Sequence, residues 1–308
     1  MSKANPKRNL TPDVTISIIS SDSLDLLLPC LQSVFASCHG VTVEVFVIDN
    51  ASLDGTASEV QTRFNEVKVI RRGSRKGFST NNNQVLRAGR GRYLMLLNDD
   101  TQVLDGALDH LVTFMDNTPQ AGAAGSLLIN PDGSVQSSFA WFPNPFLEAI
   151  WPAAAWSRFL CRHDEEPIEV DSICGAALLM RRAALEMVGM LDTSFDPVYS
   201  EEVDWCYRAR QAGWKIYSLP KSRIVHYGGQ TMNHCLPQKY ELLLSHKLLY
   251  FRKNWGSVSA RLYQITLGIT TVFKLVCWAL LTPFLKNRQD CRGKVLLHWQ
   301  ILKRLPGW

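Results

Sequence analysis

Five apolar residues run without a break from Tyr93 to Leu97 and stop at Asn98-Asp99-Asp100. A short unbroken apolar run reads as a strand buried on both faces, the kind that lies inside a parallel sheet covered by helices. In open α/β sheets, ligands sit in the crevice beyond the carboxyl ends of the strands. Asp99 and Asp100 stand at such an end. Two adjacent carboxylates repel each other unless positive charge comes between them, and a divalent cation answers that need. A polar turn, with Asp capping a helix that begins near Val103, accounts for the same residues without a ligand. The neighbouring segments must decide.

Upstream, Val14 to Ile19 is rich in β-branched residues and predicts the first strand. Ser20-Ser21-Asp22-Ser23 is a polar turn. Leu24 to Ser37 carries Leu27, Leu31 and Val34 on one helical face, with Pro29 near the first turn. Val43 to Ile48 predicts a second strand, which ends on Asp49-Asn50, and Val67 to Ile70 a third. Arg71 to Phe78 is a basic, glycine-containing loop, and Asn81, Asn82 and Asn83 open the helix after it. Strands alternating with helices imply right-handed crossovers, an α/β class and a mostly parallel sheet. Ser20 to Ser23, Asp49-Asn50 and Asp99-Asp100 would then share one sheet edge. The basic loop suits a phosphate-bearing ligand, although a solvated charge run is the default for such a stretch. No GxGxxG follows the first strand and no GxxxxGK[ST] occurs, which argues against a dinucleotide dehydrogenase or a P-loop NTPase.

Charge is unevenly placed. Residues 286–308 hold six basic groups and one acid, which accounts for the whole net charge of +5, so residues 1–285 are formally neutral. That argues against a nucleic-acid-binding face on the main body. The eight cysteines show no CxxC spacing, and residues 1–13 have no apolar signal core. We expect a disordered lead-in over 1–13, reduced cysteines and a cytoplasmic setting.

Downstream, Ala121 to Leu128 predicts a strand and Asn130-Pro131-Asp132-Gly133 a turn. Residues 141–160 are rich in Trp, Phe and Pro, which suits a flap (on the acceptor side, under the resemblance given below) or a membrane-facing loop more than regular core. Ile173 to Met180 predicts a strand with small residues that let a ligand approach. Ser200 stands in N-cap position ahead of Glu201, Glu202 and Asp204, acids that favour a helix dipole, and Gly213 ends that helix. His226 follows another short strand. Residues 239–254 form an amphipathic helix. Leu262 to Leu285 is long enough to span a bilayer, but Lys274, Gln264, four threonines and Pro283 oppose it. An in-plane interfacial helix is the first expectation, a true span the second and a helix docked on the protein the third, with the basic tail suited to an anionic leaflet.

Val47 to Thr56 (VIDNASLDGT), Lys76-Gly77-Phe78 with Asn83, and Leu96 to Thr101 (LLNDDT) resemble family 2 glycosyltransferases of the GT-A fold, nearest to the rhamnosyltransferase-like branch. The resemblance covers roughly residues 14 to 230 and rests on several ordered motifs. It implies a GT-A domain over 14–257, followed by an apolar helix and basic tail over 258–308. It also implies inverting transfer from a UDP- or dTDP-linked nucleotide-sugar to a glycan or lipid-linked acceptor in cell-surface polysaccharide or glycolipid assembly, with Mg²⁺ or Mn²⁺ and peripheral membrane contact at the cytoplasmic face. On the same resemblance Ser20, Asp22, Asp49, Asn50, Gly77, Asn83 and Asp99 bind the nucleotide-sugar, and Asp100 and His226 hold the cation. The segment at 173–180 lies beneath the donor sugar. The helix start is similar to the family's Glu-Asp-x-Asp, whose second acid is the catalytic base. That acid is Glu202 here, with Glu201 as the other candidate. A sugar nucleotidyltransferase would carry a glycine-rich basic signature where this chain has Ser20 to Ser23. A non-catalytic carbohydrate- or nucleotide-binding protein on the same scaffold would not need the acids at 99–100 and 201–202.

Overall fold

The computed structural model describes residues 11–150, 166–228, 236–281 and 288–307. Strands β1 (Val14–Ser20), β2 (Val43–Asp49), β3 (Lys68–Arg71) and β4 (Tyr93–Asn98) are parallel and lie in the order β3-β2-β1-β4. Helices α1 (Leu24–Ala36), α2 (Thr56–Arg63) and α3 (Phe78–Ala88) connect them. Next in the chain come β5 (Thr101–Val103), α4 (Ala107–Asn117), β6 (Ala121–Ile129), β7 (Phe139–Ala140), β8 (Ile168–Val170), β9 (Ser172–Ile173) and β10 (Ala177–Arg181). Helices α5 (Arg182–Val188) and α6 (Glu201–Gln211) and strand β11 (Lys215–His226) complete the sheet region. Beyond β4 the sheet continues β10-β6-β11-β5, with β8 beside β11. Strands β10, β5 and β8 oppose their neighbours and the others share one direction.

Successive strand residues face opposite sides of a sheet. In β4, Tyr93, Met95 and Leu97 enter one apolar core with α1 and α4, whereas Leu94 and Leu96 enter the second with α3, α5 and α6. Both faces are covered by helices, which is why the run is apolar throughout. In β10, Ala177 and Leu179 join the first core, Leu178 and Met180 the second.

Several expectations change. The helix expected near Val103 begins at Ala107, because Thr101–Val103 pairs instead with Ile224–His226. The strand expected over 173–180 is broken at Cys174-Gly175-Ala176 into β9 and β10. Pro29 sits at the sixth position of α1, past the first turn, on the helix's exposed side. Ser200 precedes α6 but makes no side-chain cap; it adopts φ 75°. Residues 1–10 of the expected lead-in, residues 151–160 of the aromatic stretch and residues 282–287 and 308 of the tail lie outside the described residues. Asp13 is tied down, with Arg92 Nη2 at 2.7 Å from its Oδ1.

Helix α7 (Leu236–Leu281) bends at Gly256, whose φ of 84° is in the left-handed region, and α8 (Arg288–Arg304) packs back along it. Tyr250, Phe251, Tyr263, Leu267 and Leu305 form a third core with Ala149 and Phe195. The tail helix is therefore docked along one face. Its other face exposes Ile265, Ile269, Val272, Phe273, Val276 and Leu280. Gly256–Leu280, within which an 18-residue window has mean hydropathy 1.3, is also long and apolar enough to cross a membrane.

Asp204 joins the tail to the sheet domain. It is fully buried and accepts from Arg208 Nε at 2.8 Å, Lys253 Nζ at 2.8 Å and Asn254 Nδ2 at 2.9 Å. Removing one partner of a buried ion pair typically costs 3–5 kcal/mol. Lys253 keeps 31% exposure and can regain water, so Asp204→Ala is expected to cost about 3 kcal/mol. A urea denaturation midpoint that does not move would refute this.

Candidate functional site

The sheet topology brings the carboxyl ends of three parallel strands to one edge, with Ser20 opposite Asp49 and Ile19 opposite Asn98. Beyond that edge lies a cavity of about 470 Å³. Its walls include Asn50, Asp99 and Asp100 from the strand ends, Lys76 and Phe78 from the basic loop, and Cys174-Gly175-Ala176 from the break before β10. Glu201 and Glu202 from α6 and His226 from the end of β11 complete it.

The Asp99 carboxyl is pushed up to about 6, first by burial and then by the charge of Asp100, against the hydroxyls of Ser23 and Ser20. Ser23 Oγ donates to Asp99 Oδ2 and lies 3.0 Å from Ser20 Oγ. Ser20 thus acts on the site through Asp99, alongside Ser23.

Asp100 and His226 meet because β5 pairs with β11, matching Thr101 with His226. His226 Nε2 lies 3.3 Å from Asp100 Oδ1. That oxygen is buried and has no hydrogen-bond partner among the described residues. Gln136 sets the imidazole tautomer. Its Nε2 donates to Asn130 Oδ1 at 2.6 Å and to the His226 carbonyl at 2.5 Å, so its Oε1 must be the acceptor facing His226 Nδ1 at 2.9 Å. Nδ1 then carries the proton and Nε2 presents a lone pair, to which Asn98 Nδ2 approaches at 3.4 Å. A ligating His commonly has its other ring nitrogen fixed this way. Among the described residues no cluster of three or more His, Cys, Asp or Glu side chains stands ready for an ion. Asp100 Oδ1 and His226 Nε2 together offer one carboxylate oxygen and one imidazole nitrogen, a mixed donor pair that would share a divalent ion with substrate phosphates and water.

Glu201 and Glu202 enter α6 through two non-glycine residues in the left-handed region, Tyr199 (φ 85°) and Ser200 (φ 75°). Such conformations cost of order 1–3 kcal/mol each and gather at functional sites. The turn is held from α7, where His246 Nδ1 donates to the Val198 carbonyl at 2.9 Å and the Tyr199 carbonyl at 3.1 Å. Burial pushes the Glu201 carboxyl well up, with the Glu202 charge adding to it, and burial also raises Glu202. Oε2 of each has no hydrogen-bond partner among the described residues.

The remaining sequence candidates stand outside the cavity wall. Asp49 Oδ1 caps its own loop, accepting from Ser52 N at 2.9 Å. Asp22 accepts from Leu53 N at 2.6 Å and pairs with Arg75. Asn83 is spent on the Leu191 backbone, accepting at 3.0 Å and donating at 2.8 Å. Gly77 starts α3 so close to Asp196 that an added Cβ would fall 2.2 Å from its Cγ. Asp196 Oδ1 caps that helix by accepting from Ser79 N at 2.9 Å. Much of the basic loop is also committed locally, with Arg71 on Gln61, Arg72 on Asn81 and Arg75 on Asp22, and Lys76 lines the cavity. Asn50 brackets the Lys76 backbone, accepting from its N–H at 2.8 Å and donating to its carbonyl at 3.1 Å. Gln136, His246 and Asp196 were missed in the sequence, because each acts through a partner 48 to 117 residues away.

The glycosyl transferase family 2 model matches residues 15–188. An N-acetylglucosaminyl-diphospho-decaprenol L-rhamnosyltransferase of Mycobacterium tuberculosis is 30% identical over 222 residues, 65% of this chain and 72% of the relative. An O-antigen biosynthesis protein of Myxococcus xanthus is 24% identical over 70% of this chain and 17% of its own length. Among solved structures, a mannosyltransferase from Pyrobaculum calidifontis in complex with GDP-Man and Mn²⁺ matches with TM-score 0.60 at 14% identity, covering 97% of this chain and 89% of that one. GalNAc-T7 with UDP, GalNAc and Mn²⁺ matches with TM-score 0.56 at 18% identity, covering 71% and 44%. With the sheet order, the acidic strand end and the family match in agreement, this chain belongs to glycosyl transferase family 2 and is a glycosyltransferase of GT-A fold, similar to the rhamnosyltransferases.

Proposed function

We propose that the chain transfers a sugar, with inversion at the anomeric carbon, from a UDP- or dTDP-linked donor to a hydroxyl of a lipid-linked glycan in polysaccharide or glycolipid assembly. The observation that carries this reading is one cavity bounded by the Asp100–His226 pair and by a buried carboxylate pair, Glu201 and Glu202. Asp100 Oδ1 and His226 Nε2 would hold Mg²⁺ or Mn²⁺ on the donor diphosphate. When bound, the cation offsets the negative charge that builds on the leaving diphosphate. Asn50 keeps Lys76 at the wall where the nucleotide end would lie. Glu202 accepts the proton of the acceptor hydroxyl as the new carbon–oxygen bond forms and the nucleoside diphosphate departs on the opposite side of the sugar.

The acceptor class is supported by the named substrate of the mycobacterial relative, and the cation by the Mn²⁺ in both structural neighbours. We also place the reaction at the cytoplasmic face of a membrane; the exposed apolar face of α7 supports the membrane contact. The test is a thermal-shift panel of nucleoside diphosphates and nucleotide-sugars, each with Mn²⁺ and with EDTA. A ligand that binds only the folded state raises the midpoint. At least one uridine or thymidine diphosphate should raise it only when Mn²⁺ is present. A panel with no cation-dependent shift would overturn the proposal.

A further inference from the structure

A second cavity, of about 710 Å³, lies between the sheet domain and the tail helices. It shares Cys174, Tyr199 and Glu202 with the first cavity, whereas Glu201 lines the first alone. The turn ahead of α6 thus stands on the wall between two cavities, and the chain around it is held from both sides. On the α3 side, Phe78 N donates to the Pro197 carbonyl at 2.8 Å and Ser79 N to Asp196 Oδ1 at 2.9 Å. On the α7 side, Lys253 Nζ joins Asp192 at 2.7 Å to Asp204 at 2.8 Å.

His246 of α7 works between these anchors. It is buried, and its ring meets the Phe195 ring edge to face at 5.9 Å between centres. Its Nδ1 faces two carbonyl oxygens, that of Val198 at 2.9 Å and that of Tyr199 at 3.1 Å. A carbonyl only accepts, so Nδ1 carries the hydrogen. Tyr199 passes this contact to the acids. Its carbonyl is held by His246, while its own N–H favours the charged form of the Glu201 carboxyl. The next carbonyl, of Ser200, accepts from Asp204 N at 2.8 Å in the first turn of α6.

Val198, Tyr199, Glu201 and Glu202 all line the first cavity. A shift of the turn is therefore a shift of both carboxylates against that cavity. Two successive non-glycine residues in the left-handed region, Tyr199 at φ 85° and Ser200 at φ 75°, persist only where their surroundings over-determine them. The bonds from His246 bear on the first of these residues directly.

We propose that His246 is a positioning residue for transfer: its hold on the Val198 and Tyr199 carbonyls fixes where Glu201 and Glu202 point, so that the tail helix takes part in the chemical step through α6. The effect on rate rests on the glycosyl-transfer reading above; the hold on the turn does not.

The test compares His246→Phe with His246→Asn in the full chain. Phe keeps an aromatic ring against Phe195 but donates nothing. Asn carries its amide nitrogen on Cγ, as His carries Nδ1, and donates again. Donor affinity is read from the Mn²⁺-dependent thermal shift with UDP and dTDP. Turnover is read as UDP or dTDP released from the matching nucleotide-sugars, to octyl glucoside or to water. The turn itself is read by hydrogen exchange across residues 196–204. A misplacement of about 1 Å can cost roughly 10²-fold, so the Phe variant should lose about tenfold to a hundredfold in kcat. It should keep the wild-type thermal shift and exchange faster over the turn. The Asn variant should recover most of the turnover and of the protection. A Phe variant that turns over as the wild type would overturn the proposal. So would an Asn variant as slow as the Phe variant, or a donor affinity that falls in step with kcat. A wild type with neither the Mn²⁺-dependent shift nor release would refute the transfer reading. Exchange then decides the hold on the turn by itself: faster in Phe than in Asn upholds it, and unchanged in Phe overturns it.

Discussion

Glu202→Gln is expected to bind donor as the wild type does and to lose transfer by a factor of about 10²–10⁴, the usual contribution of a positioned general base. Glu201→Gln should lose less. Adjacent helical residues point about 100° apart, so the two carboxyls cannot serve one acceptor oxygen. Glu202 is the one that reaches both cavities. Turnover at saturating donor, measured beside the donor dissociation constant, separates the roles. A dead Glu201→Gln beside an active Glu202→Gln would reverse them, and two active variants would remove this helix from the chemistry.

A pH arm follows from burial. Both carboxyls are raised by burial, Glu201 also by the Glu202 charge, so the pair holds a proton above the ordinary glutamate value of about 4.3. A base must be deprotonated, so kcat/KM should fall on the acid side through that raised value. Between the ordinary and the raised value the native state binds more protons than the unfolded chain, so the pair's contribution to stability falls as pH rises through that window. Glu201→Gln should therefore raise Tm at neutral pH, an outcome that a merely misfolded variant cannot give.

Asp100→Ala is expected to abolish cation-dependent donor binding while leaving the fold intact. Asp100 lies at a strand end, where its Oδ1 makes no hydrogen bond within the described residues. Outer-shell partners of a metal site are worth about 10–100-fold in affinity, so a direct ligand should cost at least about 100-fold and Gln136→Leu roughly tenfold. Isothermal titration of nucleoside diphosphate with Mn²⁺ measures both. Unchanged affinity in Asp100→Ala would remove it from the cation site.

Local pattern carried much of the architecture. The unbroken run at Tyr93–Leu97, the β-branched run at Val14–Ile19 and the acids that follow Leu97 mark buried parallel strands and the edge where they end. They can do so because burial on both faces demands apolar residues at every position. The small residues at Cys174-Gly175-Ala176 were legible as a place of close approach, but not as the break between two strands.

What sequence by itself determined was therefore the α/β class, the succession of strands and helices up to β4 and the acidic edge, since period and composition act over a few residues, whereas the spatial order β3-β2-β1-β4 came from the tertiary structure. Tertiary structure alone decided which candidates face the cavity. Asn83, Asp22 and Asp49 were as legible in the sequence as Asn50 and Asp99, yet their side chains are drawn off by backbone groups at Leu191, Leu53 and Ser52. It also decided that β5 delivers His226 to Asp100, that Gln136 fixes its tautomer, and that His246 holds the strained turn ahead of Glu201. These depend on pairings between distant segments, and an unmet hydrogen bond in a buried site is costly enough to fix them. The docking of α7 has the same origin, because a helix has two faces and only packing against α8 and the sheet domain decides which one is covered.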